Sequence, residues 1–198
     1  RDYATVVEEL LNPEGVPEVE TDLLHRYLGG SGGPWAQGEW IYRMLHSKRQ
    51  LQEKMALFWH HVFATGSEKS GEHVQRQIDK FRHICMSDMQ TILTQLSVDP
   101  AMLMWLDNQE NMKAEPNENY GRELLELFSM GVGNYTEDDV KGSTRAFTGW
   151  SFLTPIPHGG SQRRGNPSKF RYLELEHDDG EKEFMGENGR FNGEDIID

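Results

Sequence analysis

The chain has 198 residues, enough for one well-cored domain, and 36% are hydrophobic and 10% aromatic with five Trp, a composition that excludes a disordered polymer. Against 20 basic residues stand 33 acidic ones, and the formal net charge of −13 creates a field that repels nucleic-acid backbones and anionic lipid surfaces. No stretch reaches the roughly 20 apolar residues of a membrane-spanning helix, and the lone Cys85 excludes an internal disulfide.

Helical spacing governs the first three quarters of the chain. Val6, Val7, Leu10 and Leu11 share a face between Tyr3 and Leu11; Thr21 can cap a short helix through Leu28, ended by Gly29-Gly30, and a loop follows to Pro34. Trp40, Ile41, Met44 and Leu45 predict a helix over 35–46. Leu51 to Thr65 is a strong helix that Gly66 is expected to close. Ser70-Gly71-Glu72 opens a further stretch, in which Ile78, Phe81, Ile84, Cys85, Met89, Ile92, Leu93 and Leu96 predict one long helix or two abutting ones.

Asp99-Pro100 restarts the chain as N-cap and N1, and Pro116-Asn117 begins a helix to Met130 that stops at Gly131. Thr136 to Asp139 has the capping-box arrangement and launches a helix toward Phe147. Residues 151–169, rich in Pro, Gly and Ser, read as an irregular loop, and the basic run Gln162-Arg163-Arg164 within it as a solvated segment and weak candidate anion site. A small hairpin is expected over 170–186, turning at Asp178-Asp179-Gly180. The fold class that follows is mainly α: one multi-helix domain over 1–198 with a small β-hairpin and a long loop near its C-terminal end. Because the chain opens on Arg1 and closes on what reads as the start of a helix, Gly193 to Ile197, it is expected to be a piece of a longer protein.

Two stretches carry chemistry. In the Leu51 to Thr65 helix, Leu51, Met55, Phe58 and Val62 form one face, and Trp59, Phe63 and Ala56 extend the apolar arc past half the circumference, so the helix is expected to be nearly engulfed. Glu53 and His60, seven residues apart, share a meridian about 10.5 Å apart along the axis, a small polar stripe inside an apolar helix. Such a histidine is a metal ligand or general base, or else a core histidine bonded to a carboxylate or carbonyl; His61 points away toward solvent. In the second stretch, Tyr120, Leu124, Leu127 and Phe128 form the apolar face, and Glu118, Arg122 and Glu126 an ion-pair ladder opposite, with Glu123 at the boundary. The Glu118-Asn119 first turn could ligate a hard cation, and Glu123-x-x-Glu126 has the i,i+3 spacing of helical carboxylate metal sites.

The signature Glu53-Lys54-Met55-x-x-Phe58-Trp59-His60, then Asn117-Glu118-Asn119-Tyr120-x-Arg122-Glu123-Leu124-x-Glu126-Leu127-Phe128, Arg145-Ala146-Phe147-Thr148-Gly149-Trp150, and the tail His177-Asp178-x-Gly180-x-Lys182-x-Phe184-x-Gly186 resembles the domain of unknown function 1800 family. The resemblance covers roughly Leu51 to Asp198. It implies a mostly helical, largely bacterial protein, often exported and so of exported or periplasmic location, and no established reaction. Val62 stands where many relatives have a second histidine, and Gly121 where Ala is usual, so of the histidine pair only His60 carries over.

The expected site lies where the His60 and Asn117-to-Glu126 helices meet. Its catalytic candidates are His60 and Glu123; its metal or ligand candidates are Glu53, His60, Glu118, Asn119, Glu126 and, from a covering hairpin, His177 and Asp178. Arg122 and Arg145 are the anion clamps or ion-pair partners, a divalent metal is the candidate cofactor, and hydrolysis the candidate reaction. The rival expectation is a non-catalytic structural or assembly subunit, its polar motifs a buried network and its acidic surface facing a protein partner.

Overall fold

The computed structural model describes residues 2–27, 33–154 and 168–198, which are mostly helical, and the chain divides into two compact units, Arg1–Asp88 and Met89–Asp198. The expected loop over 29–34 falls largely outside the described residues, as does the basic run at 162–164.

In the first unit, α1 (Tyr3–Leu11) is capped by Asp2, whose carboxylate accepts from Thr5 N at 2.8 Å. A 3₁₀ turn (Pro13–Gly15), α2 (Asp22–Tyr27), α3 (Gly33–His46), α4 (Gln50–Phe63) and α5 (Gly71–Ile84) follow, α5 starting on Ser70, whose hydroxyl accepts from His73 N. The core of α5 is Val74, Ile78, Phe81 and, beyond its last turn, Cys85. Phe63 is stacked between Trp59 (5.6 Å between centroids) and Phe81 (5.7 Å).

α4 is not engulfed. Phe58 is 49% exposed and Leu57 41%, whereas Glu53, Ala56 and Phe63 are buried. The helix turns its small and polar stripe inward because a cation from α5 meets Glu53 there and offsets the cost of burying a carboxylate. Nor does Gly66 close it. Ala64 is left-handed, φ 46°, and its amide bonds the His60 carbonyl at 3.0 Å.

The second unit begins with α6 (Met89–Ser97) and α7 (Pro100–Trp105), the latter capped by Asp99 through Ala101 N at 3.0 Å. After a 3₁₀ turn (Asn108–Glu110) comes α8 (Asn119–Glu123), which continues not as α-helix but as a π-helix, Leu124–Ser129. Met130 N reaches back five residues to Leu125 O at 2.9 Å, and Ser129 Oγ five residues to Leu124 O at 2.6 Å. The wider turn advances each residue by a smaller angle. Tyr120, Leu124 and Phe128 stay buried, while Leu127, expected beside them, is 63% exposed and Leu125 is buried instead.

α9 (Glu137–Ala146) carries the expected capping box between Thr136 and Asp139, and α10 (Gly193–Ile197) has a second one between Asn192 and Asp195. The β-structure departs from a single hairpin over 170–186. β1 (Trp150–Leu153) pairs antiparallel with β2 (Lys169–Tyr172), in register Trp150↔Tyr172 to Leu153↔Lys169, so both ends of the expected 151–169 loop are strand; residues 155–167 lie outside the described residues. β3 (Lys182–Phe184) pairs instead with β4 (Glu187–Gly189). The turn between them has Met185 at φ 52° and Gly186 at φ 81°, two left-handed positions as in a type I′ turn. Met185 breaks the usual Asn-Gly or Asp-Gly pattern, which is why the sequence pointed to Asp178-Asp179-Gly180.

β3 lies on α9 at Gly142, where a Cβ would stand 2.2 Å from the Glu183 carbonyl oxygen. Gly142→Ala is therefore expected to lower stability by about 1–3 kcal/mol through overpacking. Gly38→Ala, in mid-α3 with nothing within 4 Å, is expected to raise it by about 0.5–1 kcal/mol. Urea unfolding of both variants reads the contrast; equal effects would contradict the close approach.

Candidate functional site

In the first unit the polar stripe is built around Arg82. Its Nε donates to both carboxylate oxygens of Glu53, at 3.1 and 3.0 Å, with the two side chains 8% and 4% exposed. Nη1 donates to Asp79, one turn earlier on α5, and the Arg82 carbonyl accepts from the Gln52 side chain at 2.8 Å. The guanidinium carbon sits 5.8 Å from the Trp40 ring centroid, and that ring meets His60 edge-on, with centroids 5.4 Å apart. Glu53 is thus committed to an arginine rather than to His60. Burial foremost, and the neighbouring His61 next, lower the His60 pKa, so its imidazole is neutral at pH 7. His61 itself is exposed. A cleft of about 280 Å³ opens on the other members of this group, with Glu18, Arg43, Arg49 and Asp79 lining it beside Glu53 and Arg82.

In the second unit Glu118, Arg122 and Glu126 each have a side-chain partner. Arg122 donates to Glu118 at 3.1 Å and to both oxygens of Glu137 at 2.9 and 2.7 Å, so the ladder turns onto the first turn of α9. Glu126 accepts from the Tyr135 hydroxyl at 2.8 Å. Glu123 is half-buried, and burial, followed by the charge of Glu126, raises its pKa. The side chain of Asn119 is exposed, and its amide is held by Asn117 Oδ1 at 3.0 Å.

The candidates beyond α9 serve the same unit. Asp178 accepts from Arg145 Nε at 2.6 Å and from Gly180 N at 2.8 Å, and Arg145 also reaches the Glu181 carbonyl at 3.0 Å. His177 is 4% exposed; its Nδ1 donates to the Thr148 carbonyl at 2.9 Å, and its ring lies 5.4 Å from that of Tyr172. Lys182, 1% exposed, donates to the Asp178 and Gly180 carbonyls, and burial lowers its pKa. Among the described residues no group of three or more His, Cys, Asp or Glu side chains converges as a metal-ligand set.

Three residues absent from the sequence reading, Arg82, Asn108 and Asn111, prove central, as does Lys182, which figures there only within the family signature. Arg82 was legible in principle, since it falls on the same stripe of α5 as Ile78, Phe81 and Cys85. Asn108 and Asn111 carried no local signal because the carbonyls they bond are distant in sequence, whereas Lys182 bonds carbonyls two and four residues back in its own turn. Asn108 donates to the Trp150 carbonyl at 3.0 Å; Asn111 donates to the Thr144 carbonyl at 2.9 Å and accepts from Asn117 N at 3.0 Å.

The model of a protein family described as "Protein of unknown function (DUF1800)" matches residues 34–198. No curated protein and no solved structure matches the chain.

The Arg145–Asp178 pair sets a pH dependence. The guanidinium of Arg145 holds the Asp178 carboxyl below its ordinary range, so the stabilisation is complete above the unfolded value of about 3.9 and disappears as pH falls through the lower folded value. The pair is partly exposed, and screening keeps its contribution near or below about 1 kcal/mol. Asp178→Asn is expected to be less stable than the parent at neutral pH, the gap closing below about pH 4. Unfolding midpoints across this range check it; a gap that widens on acidification contradicts the assignment.

Proposed function

We propose, from the premise that the chain belongs to the DUF1800 family, that this is a non-catalytic structural module whose polar signature residues hold helices and strands in register. The observation that carries the proposal is the commitment of four signature carboxylates to protein partners: Glu53 to Arg82, Glu118 to Arg122, Glu126 to Tyr135 and Asp178 to Arg145. A carboxylate so held binds a hard cation only in competition with its protein donor. The exposed Ile41 and Leu45, one turn apart on α3, suit a role within a larger protein assembly.

A second reading is favoured by the cleft beside Arg82. Three arginines there oppose Glu18, Glu53 and Asp79, so the walls are charge-balanced and suit a polar neutral or zwitterionic molecule better than a phosphate. The volume of about 280 Å³ lies at the lower edge of ligand pockets, room for a small metabolite only.

Elemental analysis of the purified chain and thermal unfolding with and without a chelator separate the structural module from a metal site. The expected result is no stoichiometric divalent metal and an unchanged midpoint. One bound metal per chain, lost with chelator and with a fall in the midpoint, would overturn the structural reading.

A further inference from the structure

Three neighbouring side chains of the first unit each have a buried polar atom without a protein hydrogen-bond partner: Trp40 Nε1, His60 Nδ1 and Arg82 Nη2. The His60 ring is 5.4 Å from the indole centroid and the Arg82 guanidinium carbon 5.8 Å. They come from three helices, α3, α4 and α5. Trp40 and Arg82 are each at least nine-tenths buried, at 9% and 7% exposure. A buried polar atom left unpaired forfeits the hydrogen bond it had in water, and three such losses would be a large share of the stability of a domain. None of the three can satisfy either of the others' needs without moving, and all three remain unmatched after Glu53 and Asp79 have taken Nε and Nη1 of Arg82.

The chemistry of the three atoms restricts what completes them. The indole N–H and the guanidinium N–H only donate, while one nitrogen of a neutral imidazole accepts. Burial keeps His60 neutral. Charge narrows the choice further, since Arg82 already faces two carboxylates, Glu53 and Asp79. An anion would compete with those carboxylates for a guanidinium they already hold, and a cation would meet two donors. What fits is one neutral oxygen that accepts twice and donates once, the usual three-bond pattern of an internal water.

We infer that Trp40, His60 and Arg82 form a binding site for a single internal water, which accepts from Trp40 Nε1 and Arg82 Nη2 and donates to His60 Nδ1. The inference rests on the structural reading of the Glu53–His60 stripe and gives His60 a positioning role within it. It also fixes the tautomer: the His60 proton sits on Nε2, and Nδ1 is the acceptor.

Nuclear magnetic resonance on the full chain tests it. Of the five Trp indole signals, the one removed by Trp40→Phe is expected to show a cross-peak to a long-lived water, and the ¹⁵N shift of His60 Nδ1 should be that of an unprotonated, hydrogen-bonded nitrogen. His60→Phe deletes the acceptor and should abolish the Trp40 water cross-peak while leaving the other indoles unchanged. An assigned Trp40 signal without water contact, or a protonated Nδ1 at neutral pH, would overturn the site, and both are read on the parent chain even if a variant fails to fold. Stoichiometric metal with the water cross-peak intact would sink the structural reading alone; a metal-free chain with a dry Trp40 would sink the water site alone.

Discussion

A buried ion pair imposes the main constraint on the first unit. Glu53 and Arg82 are each nearly sequestered from solvent, and either charge alone in that position would carry a desolvation penalty of several kcal/mol. The penalty is offset only when α4 and α5 hold the register that brings Nε of Arg82 onto both carboxylate oxygens. Other contacts between α4 and the C-terminal end of α5 agree with that register. Gln52 reaches the Arg82 carbonyl, and the Trp59 indole donates to the Cys85 carbonyl at 3.0 Å. The thiol of Cys85, raised to about 11 by burial, is consistent with a packed role and not with a reactive one.

The second unit uses the same logic with amides and caps. Asn111 ties the segment before α8 to the carbonyl of Thr144 in α9. Asp139 serves two masters: one oxygen closes the capping box with Thr136, and the other accepts at 2.6 Å from Met185 N in the left-handed turn between β3 and β4. A side chain that begins a helix therefore also fixes a hairpin upon it. Gly142, one turn along α9, admits that hairpin at a distance no side chain would permit. The aromatic succession Tyr120, Phe147, Trp150, Phe170, with centroids 4.9 to 5.2 Å apart, packs α8 and α9 onto the first sheet.

Much of this was legible in local pattern. Caps at Ser70, Asp99 and Thr136 follow from residue type and spacing, and the inward position of Glu53 follows from its meridian on α4. The reading failed where the deciding partner is remote in sequence or the backbone leaves its usual period. Phe58 lies outside, against its hydrophobicity, because Arg82 of α5 draws the polar stripe of α4 inward. Leu127 lies outside because the 100° step of an α-helix does not hold through the π-helix. The strand at Phe170 finds Phe152, across a separation no local window spans. The candidate residues of the expected site divide between the two units: Glu53 and His60 belong to the first, Glu118 to Glu126, Arg145, His177 and Asp178 to the second.

The central claim is that the signature carboxylate of α4 works by pairing with Arg82 inside the fold. A double-mutant cycle measures it directly: urea unfolding of the parent, Glu53→Gln, Arg82→Met and the double variant. Each single change is expected to cost about 3–5 kcal/mol, because it strands a buried charge. The double variant should cost less than the sum by about 1–3 kcal/mol or more. Strict additivity, or a Glu53→Gln variant as stable as the parent, would contradict the account.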